Sequence, residues 1–319
     1  MKKQYGFLCK TEILLKGSEI MIKLYNADCI DVLKSMEDES VDLVIADPPY
    51  NGVIDEMWDN LWQTEQEYIS WVELWFNEVV RVLKPTGVFY CYGWFDILTK
   101  LKVRVFDKRL IFRQNITLDK GIKSVAGRTS SKLRMYPTAS EYLLYYVKNE
   151  NPTETPFSII MKKKMKELKL TQIDVARLQL SKNGNITGWV HNKLNGKQLP
   201  TREQWALMCE LFDIRDEYDL LVAQYEMQRY TFNLPYGVTD VWDFAPDKDR
   251  YHPTQKPMEV CDRIIQSSSN EGDIVFIPFA GSGNEIISAV ENRRVVVASE
   301  IDEGYYKIIK NRVKTVNEK

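Results

Sequence analysis

The stretch Val41-Asp42-Leu43-Val44-Ile45-Ala46, running into Asp47-Pro48-Pro49-Tyr50, constrains this chain most. The run is short, apolar and rich in branched residues, the signature of a parallel strand buried on both faces. The two prolines that close it cannot continue a sheet ladder. A carboxylate placed where such a strand stops lies at the carboxyl edge of an open α/β sheet, where ligands bind. Two successive prolines stiffen the backbone and leave carbonyls with no amide hydrogen between them. The result is a rigid acceptor pair, the Asp47 carboxylate and the Pro48 carbonyl, with the flat ring of Tyr50 alongside. Such a pair suits a planar amino group. A strand followed by an ordinary Pro-Pro turn accounts for these four residues equally well, so the rest of the chain decides.

Near the C-terminus, Asp273-Ile274-Val275-Phe276-Ile277-Pro278-Phe279 reads as a second buried strand. Ala280-Gly281-Ser282-Gly283-Asn284 follows as a glycine turn, then a helix over 285–291 and a strand over 295–299 that ends at Glu300. Strand, glycine turn, helix, strand and acid make a βαβ unit of the kind that grips a ribose. Gly281 and Gly283 permit close approach of a ligand to the backbone. They fall short of the dinucleotide fingerprint, and no P-loop lysine follows them. A nucleoside without a pyrophosphate fits better. Turns with two glycines are common, so the weight rests on their combination with Glu300 and the strands.

Between these blocks, residues 23–26 read as a strand and 30–36 as a helix, with Asp28 at the junction. Asp28 is there as a helix cap or as a holder of a cofactor's polar group. Residues 51–64 read as a loop over the site, 66–83 as a helix closed by Lys84-Pro85-Thr86-Gly87, and 88–93 and 141–148 as strands. Residues 100–134 are basic; a charge run is ordinarily a solvated face. Here Lys120, Lys123, Arg128, Lys132 and Arg134 share a Gly- and Ser-containing stretch suited to phosphates. The architecture expected is α/β: a Rossmann-like, mostly parallel sheet with helices on both faces.

Asn151-Pro152-Thr153-Glu154-Thr155-Pro156 marks a linker, after which residues 151–229 read as a helical insert. The expected organisation is an extension over 1–20, a main domain over 21–150 and 230–319, and this insert. Within it Thr171-Gln172-Ile173-Asp174 opens one short helix, Ser181 to Gly184 turns, 185–190 forms the next helix, and Thr201-Arg202-Glu203-Gln204 caps another. The pattern is similar to a helix-turn-helix, which makes Lys182, Asn183 and Asn185 candidate DNA contacts. A small helical packing module is the plainer alternative.

Composition excludes several classes. The formal charge of −2 over 319 residues argues against a nonspecific nucleic-acid coat. Five cysteines without C-x-x-C spacing indicate neither a disulfide framework nor a zinc cluster, and suit a reducing cytoplasm. Lys10, Glu12 and Lys16 interrupt any signal-peptide core, and no run reaches the length of a membrane span. With only His191 and His252, far apart, no histidine metal site is expected.

Together the segments resemble the β-class DNA amino-methyltransferases, which take their methyl group from S-adenosylmethionine. Residues 26–29 and 47–50, His252-Pro253-Thr254-Gln255-Lys256-Pro257, Phe279-Ala280-Gly281-Ser282-Gly283 and Glu300-Ile301-Asp302 carry the resemblance. Their order, catalytic block before glycine turn, is that of a circularly permuted methyltransferase; the insert looks like one carried by some phage and mobile-element members. The resemblance implies that Asp28, with Cys29, meets the cofactor's adenine and Glu300 its ribose. Phe279, Ala280, Gly281, Ser282, Gly283, Asn284 and Lys256 would hold the methionine end. Asp47, Pro48, Pro49 and Tyr50 would hold a base flipped out of double-stranded DNA, within a restriction-modification setting. A homodimer is a further family expectation, and no metal is implied. Two positions depart from the family pattern: Ile277 stands where an aspartate is usual, and Asn284 where a threonine is usual. Adenine N6 is the favoured target with Asp47. Cytosine N4, a DNA-binding regulator without turnover, and an RNA methyltransferase stay open.

Overall fold

The computed structural model describes residues 9–14, 21–50, 61–125, 134–233, 237–245 and 247–317. It divides into two compact units, one of residues 1–149 with 230–319 and one of residues 150–229.

The first unit is built on a sheet of nine strands in the order β1-β2-β9-β8-β3-β4-β6-β5-β7. The strands are β1 (Cys9–Leu14), β2 (Met21–Asn26), β3 (Val41–Ala46), β4 (Leu83–Gly93), β5 (Ile111–Asp119), β6 (Ser140–Val147), β7 (Val241–Asp243), β8 (Ile274–Ile277) and β9 (Val295–Glu300). Pairing is parallel from β2 through β9, β8 and β3 to β4, and again between β5 and β7. It is antiparallel for β1 with β2 and for β6 with β4 and β5. The mostly parallel Rossmann-like sheet expected from the sequence is present.

Both faces are covered, as the unbroken apolar strands require. Along β3, Leu43 and Ile45 join one core while Val44 and Ala46 join the other, the period-two alternation of a strand. The first core includes residues of helices α9 (Met258–Ser268), α10 (Asn284–Glu291) and α11 (Glu303–Asn317). The second includes those of α1 (Cys29–Lys34), α2 (Glu65–Val82) and α3 (Phe95–Arg104). Its centre is aromatic: Trp75 is fully buried, edge-on to Phe76 and to Phe279 at 6.2 and 5.4 Å between ring centres.

Strand β3 is followed by α2 and then by its neighbour β4, while β8 is followed by α10 and then by β9 on the other side. Chain direction therefore parts between β3 and β8, with the two crossover helices packed in opposite cores. This is the switch point at which open α/β sheets take ligands.

Three elements were not expected. Strand β1 lies within the region read as an uninformative extension and adds antiparallel to β2, so the sheet begins before Met21. Helix α3 and strand β5 occupy part of the basic stretch, where Lys100 pairs with Glu65 and Asp96, and Lys102 with Asp107. Charge masked an amphipathic pattern there. The loop read over residues 51–64 lies outside the described residues from 51 to 60.

The second unit has five helices among the described residues: α4 (Pro156–Glu167), α5 (Gln172–Ala176), α6 (Trp189–Leu194), α7 (Arg202–Phe212) and α8 (Tyr218–Glu226). Capping boxes start α4, α5 and α7 at Thr155, Thr171 and Thr201. Its own core gathers Phe157, Met161, Val175, Trp205, Met208 and Phe212. The third helix starts at Trp189 rather than Asn185, so residues 177–188 join α5 to α6, longer than the turn expected from the sequence.

Gly196 has φ +68°, and a β-carbon there would collide with the Thr153 carbonyl oxygen. Gly196→Ala should therefore destabilise the second unit by more than about 1 kcal/mol, read as a lower urea midpoint of Trp189 and Trp205 fluorescence. An unchanged midpoint would contradict this packing.

Candidate active site

The pairing of Leu43 with Val275 and Val44 with Phe276 sets β3 beside β8 in parallel register. Their carboxyl ends therefore deliver Asp47–Tyr50 and Pro278–Ser282 to one cavity of about 380 Å³, although the two segments are far apart in sequence. That volume is in the range of small-ligand sites. The conformations are local necessities: Gly281 and Gly283 have φ +50° and +81°, and a β-carbon on Gly283 would press on Ile309 at 3.1 Å.

At one end stands Glu300, buried at the tip of β9. Its carboxylate accepts hydrogen bonds from the N–H of Gly281 at 2.8 Å and of Asp302 at 2.8 Å. Burial raises its pKa, and those N–H groups oppose the shift. Asp28 caps α1, its Oδ1 accepting from the Ile30 N–H at 2.8 Å, and it lines the cavity as well. Cys29 lines it too, with a buried thiol that burial pushes well above the usual pKa. Trp62, Trp71 and Phe279 give the cavity an aromatic wall, with Trp71 4.5 Å from Trp62 and 5.7 Å from Phe279 between ring centres. Two carboxylates at one end and an aromatic wall fit a nucleoside.

At the other end Lys256 organises the site. It is 3% exposed, and its ammonium donates to Asp47 Oδ2 at 2.8 Å, to the Tyr50 hydroxyl at 2.9 Å and to the Thr254 carbonyl at 3.3 Å. The Tyr50 hydroxyl in turn donates to Asp47 Oδ1 at 2.5 Å, so both oxygens of Asp47 are engaged. Glu141 on β6 lies 3.7 Å from the Lys256 ammonium and pairs with Lys120. Burial works against the charge of Lys256, but Asp47 and Glu141 hold its pKa above the usual lysine range. Burial pushes the Glu141 pKa up, and Lys256 with Lys120 more than reverse it. Burial and the adjacent charge of Asp47 raise the Tyr50 phenol well above its ordinary value. Pro49 accepts a hydrogen bond from the Tyr68 hydroxyl at 2.7 Å, fixing the turn from α2, and Pro48 lines the cavity.

Several expected site residues have partners within the chain. The three ammonium hydrogens of Lys256 go to Asp47, Tyr50 and the Thr254 carbonyl, although it also lines the cavity. Asn284 is fully buried and braces the site rather than lining it. Its amide donates to Asp247 and to the Lys256 carbonyl, each at 2.7 Å, and accepts from Arg312 at 2.7 Å. Gly283 caps α10 behind the cavity wall, whereas Phe279, Ala280, Gly281 and Ser282 line it. Ile277 is 1% exposed, a core residue on the β8 side. Lys120 pairs with Glu141. Arg134 is exposed; the Lys123 side chain, Arg128 and Lys132 lie outside the described residues. Lys182, Asn183 and Asn185 are exposed, but in the connection between α5 and α6 rather than on a helix. No cluster of three His, Cys, Asp or Glu side chains suited to a metal occurs among the described residues.

Four residues went unread in the sequence. Trp71 lies on α2 outside that helix's main apolar stripe, and Glu141 stands at the polar start of a strand. His252, whose ring is 4.5 Å from that of Tyr305, was part of a motif without a role. Glu285 was simply the first acid of a helix. Only the apolar setting of Glu141, between strand residues, offered a signal.

Comparison with known proteins agrees with this geometry. The model of the N6/N4 family described as DNA methylase matches residues 41–311. The type II methyltransferase M.BamHI of Bacillus amyloliquefaciens is 27% identical over 92% of this chain, which spans only 57% of that protein. The DNA adenine methyltransferase YhdJ of Escherichia coli is 26% identical over 89% of this chain and 80% of its own length. Among solved structures, the complex of M1.HpyAVI with its cofactor superposes with a TM-score of 0.52 at 17% identity, covering 92% of this chain and 100% of that one. TTHA0409 of Thermus thermophilus, in complex with S-adenosyl-L-methionine, gives 0.52 at 18% identity over 92% and 94%. The family match spans both the Asp-Pro-Pro-Tyr strand and the glycine turn, and this chain belongs to the N6/N4 DNA methylase family.

Proposed function

We propose that this chain methylates the exocyclic amino group of a base in double-stranded DNA, adenine N6 being the target, with S-adenosylmethionine as donor. The observation that carries the reading is the meeting of a lysine-anchored Asp47 and a nucleoside-shaped cavity at one switch point. The cofactor, when bound, supplies an electrophilic methyl group on a sulfonium. Asp28 and Glu300 would hold its adenosine, with Phe279–Ser282 along its length.

The remaining chemistry belongs to the chain. An exocyclic amine is a poor nucleophile because its lone pair is delocalised into the ring. Asp47 and the Pro48 carbonyl would each accept one of its N–H groups, favouring a pyramidal nitrogen with an exposed lone pair. Lys256 holds Asp47 in place as an acceptor, in a cavity where electrostatic effects are larger than in water. The amine takes the place on Asp47 that the Tyr50 hydroxyl holds. Positioning and electrostatics suffice, and no covalent intermediate is called for. The base must leave the duplex to reach Asp47, at an unstacking cost of a few kcal/mol.

The helical unit of residues 150–229 is proposed as the DNA-recognition module. Its exposed Arg177, Lys182, Asn183 and Asn185 carry hydrogen-bond donors of the kind that meet phosphates and base edges. No helix among the described residues is long and apolar enough to cross a membrane, and the buried free thiols suit a cytoplasmic setting.

Incubating unmodified DNA with labelled cofactor and digesting it to nucleosides should yield labelled N6-methyladenine. Label in N4-methylcytosine would reassign the target, and label in neither would refute the activity. In the same assay Asp47→Ala should abolish transfer while DNA binding in gel shift is retained; an active variant refutes the assignment. Tyr50→Ala should weaken capture of the flipped base by about 1–3 kcal/mol, read as a higher KM for DNA.

A further inference from the structure

Three acids of the cavity have partners within the chain: Asp47 has Lys256 and Tyr50, Glu300 has two backbone N–H groups, and Asp28 has its own helix. Glu285 is different. It is 6% exposed, lines the cavity from the first turn of α10, and has no lysine or arginine paired with it among the described residues. Its carboxyl is met by its own backbone N–H and by the Cys261 thiol of α9. Such a buried carboxyl is costly unless a cation completes it. Burial, together with the charge of Asp47, pushes its pKa up to about 7.

The place of Glu285 indicates which cation. Asp28 and Glu300 mark the nucleoside end of the cavity, and Asp47 marks the point of transfer. Glu285 lines the same cavity as Asp47 and Lys256, from the first turn of the helix that follows the glycine turn. A ligand running from Glu300 past Asp47 brings its amino-acid end to this region. Strand β8 offers no acid there, because Ile277 is in the core, and the Lys256 hydrogens are committed elsewhere. We propose that Glu285 binds the α-ammonium group at the amino-acid end of S-adenosylmethionine, an inference that rests on the methyltransferase reading.

The groups surrounding Glu285 are Asp47 after β3, Tyr92 of β4, Lys256 before α9, Cys261 of α9 and Arg312 of α11. An ammonium ligand favours the ionised carboxylate. Affinity is therefore complete above the pKa of the free carboxyl and falls as the pH drops below about 7.

The test is calorimetric titration of the full chain with S-adenosylhomocysteine and with its desamino analogue, which lacks only the ammonium. The wild-type chain should prefer the amino compound, increasingly so as pH rises through neutrality. Glu285→Gln should bind that compound about tenfold or more weakly, bind the desamino analogue as before, and lose the pH dependence. A variant that keeps the wild-type preference, or loses both ligands equally, overturns the proposal. The wild-type pH series needs no variant: equal pH dependence for the two ligands overturns it too. A wild-type chain that binds neither ligand overturns the methyltransferase reading and this inference with it.

Discussion

The short parallel pairing between β3 and β8 is the constraint on which the rest of the molecule depends. Two residue pairs, Leu43 with Val275 and Val44 with Phe276, bring together segments separated by most of the chain. Everything chemical follows from what these strands release at their carboxyl ends: a proline-stiffened acid from one and a glycine turn from the other. Because side chains alternate along a strand, a slip of one residue would turn Leu43 and Ile45 out of their core. Register and site are therefore specified by the same apolar contacts, and the second unit can interrupt the chain between β6 and β7 without disturbing them.

Within that frame one buried lysine connects three segments of the chain. Lys256 touches Asp47 and Tyr50 after β3, Glu141 on β6 and the Thr254 carbonyl before α9. A buried ion pair adds little net stability, since desolvation offsets most of the attraction, yet removing one partner leaves an uncompensated charge. The arrangement is better understood as positional. It holds both oxygens of Asp47 in defined directions until a competing donor arrives. Asn284 carries the same logic outward, tying the Lys256 backbone to Asp247 and Arg312.

Much of this was legible in the sequence, for reasons that differ by element. Strands β3, β8 and β9 announced themselves because burial on both faces demands unbroken apolar runs, and the Thr-started helices because their caps are local chemistry. The acids Asp28 and Glu300 followed from their positions at strand ends. Strand β5 and helix α3 stayed hidden because lysines and arginines with extended apolar stems obscure an amphipathic pattern. The partners of Lys256 and Lys120 were invisible for a deeper reason. An ion pair between β6 and a loop before α9 is a tertiary event, and a lysine beside a cofactor motif looks the same whether it serves the cofactor or the catalytic acid. Glu285 is the same problem again, an ordinary first-turn helix acid until its burial is known.

The central claim is that Lys256 belongs to the acceptor and not to the cofactor. Single-turnover methyl transfer by Lys256→Met, measured alongside its affinity for S-adenosylhomocysteine, tests this most directly. The account requires a transfer rate lowered by about tenfold or more with product affinity close to that of the unaltered chain. A variant that transfers at the normal rate but has lost its grip on S-adenosylhomocysteine would contradict it.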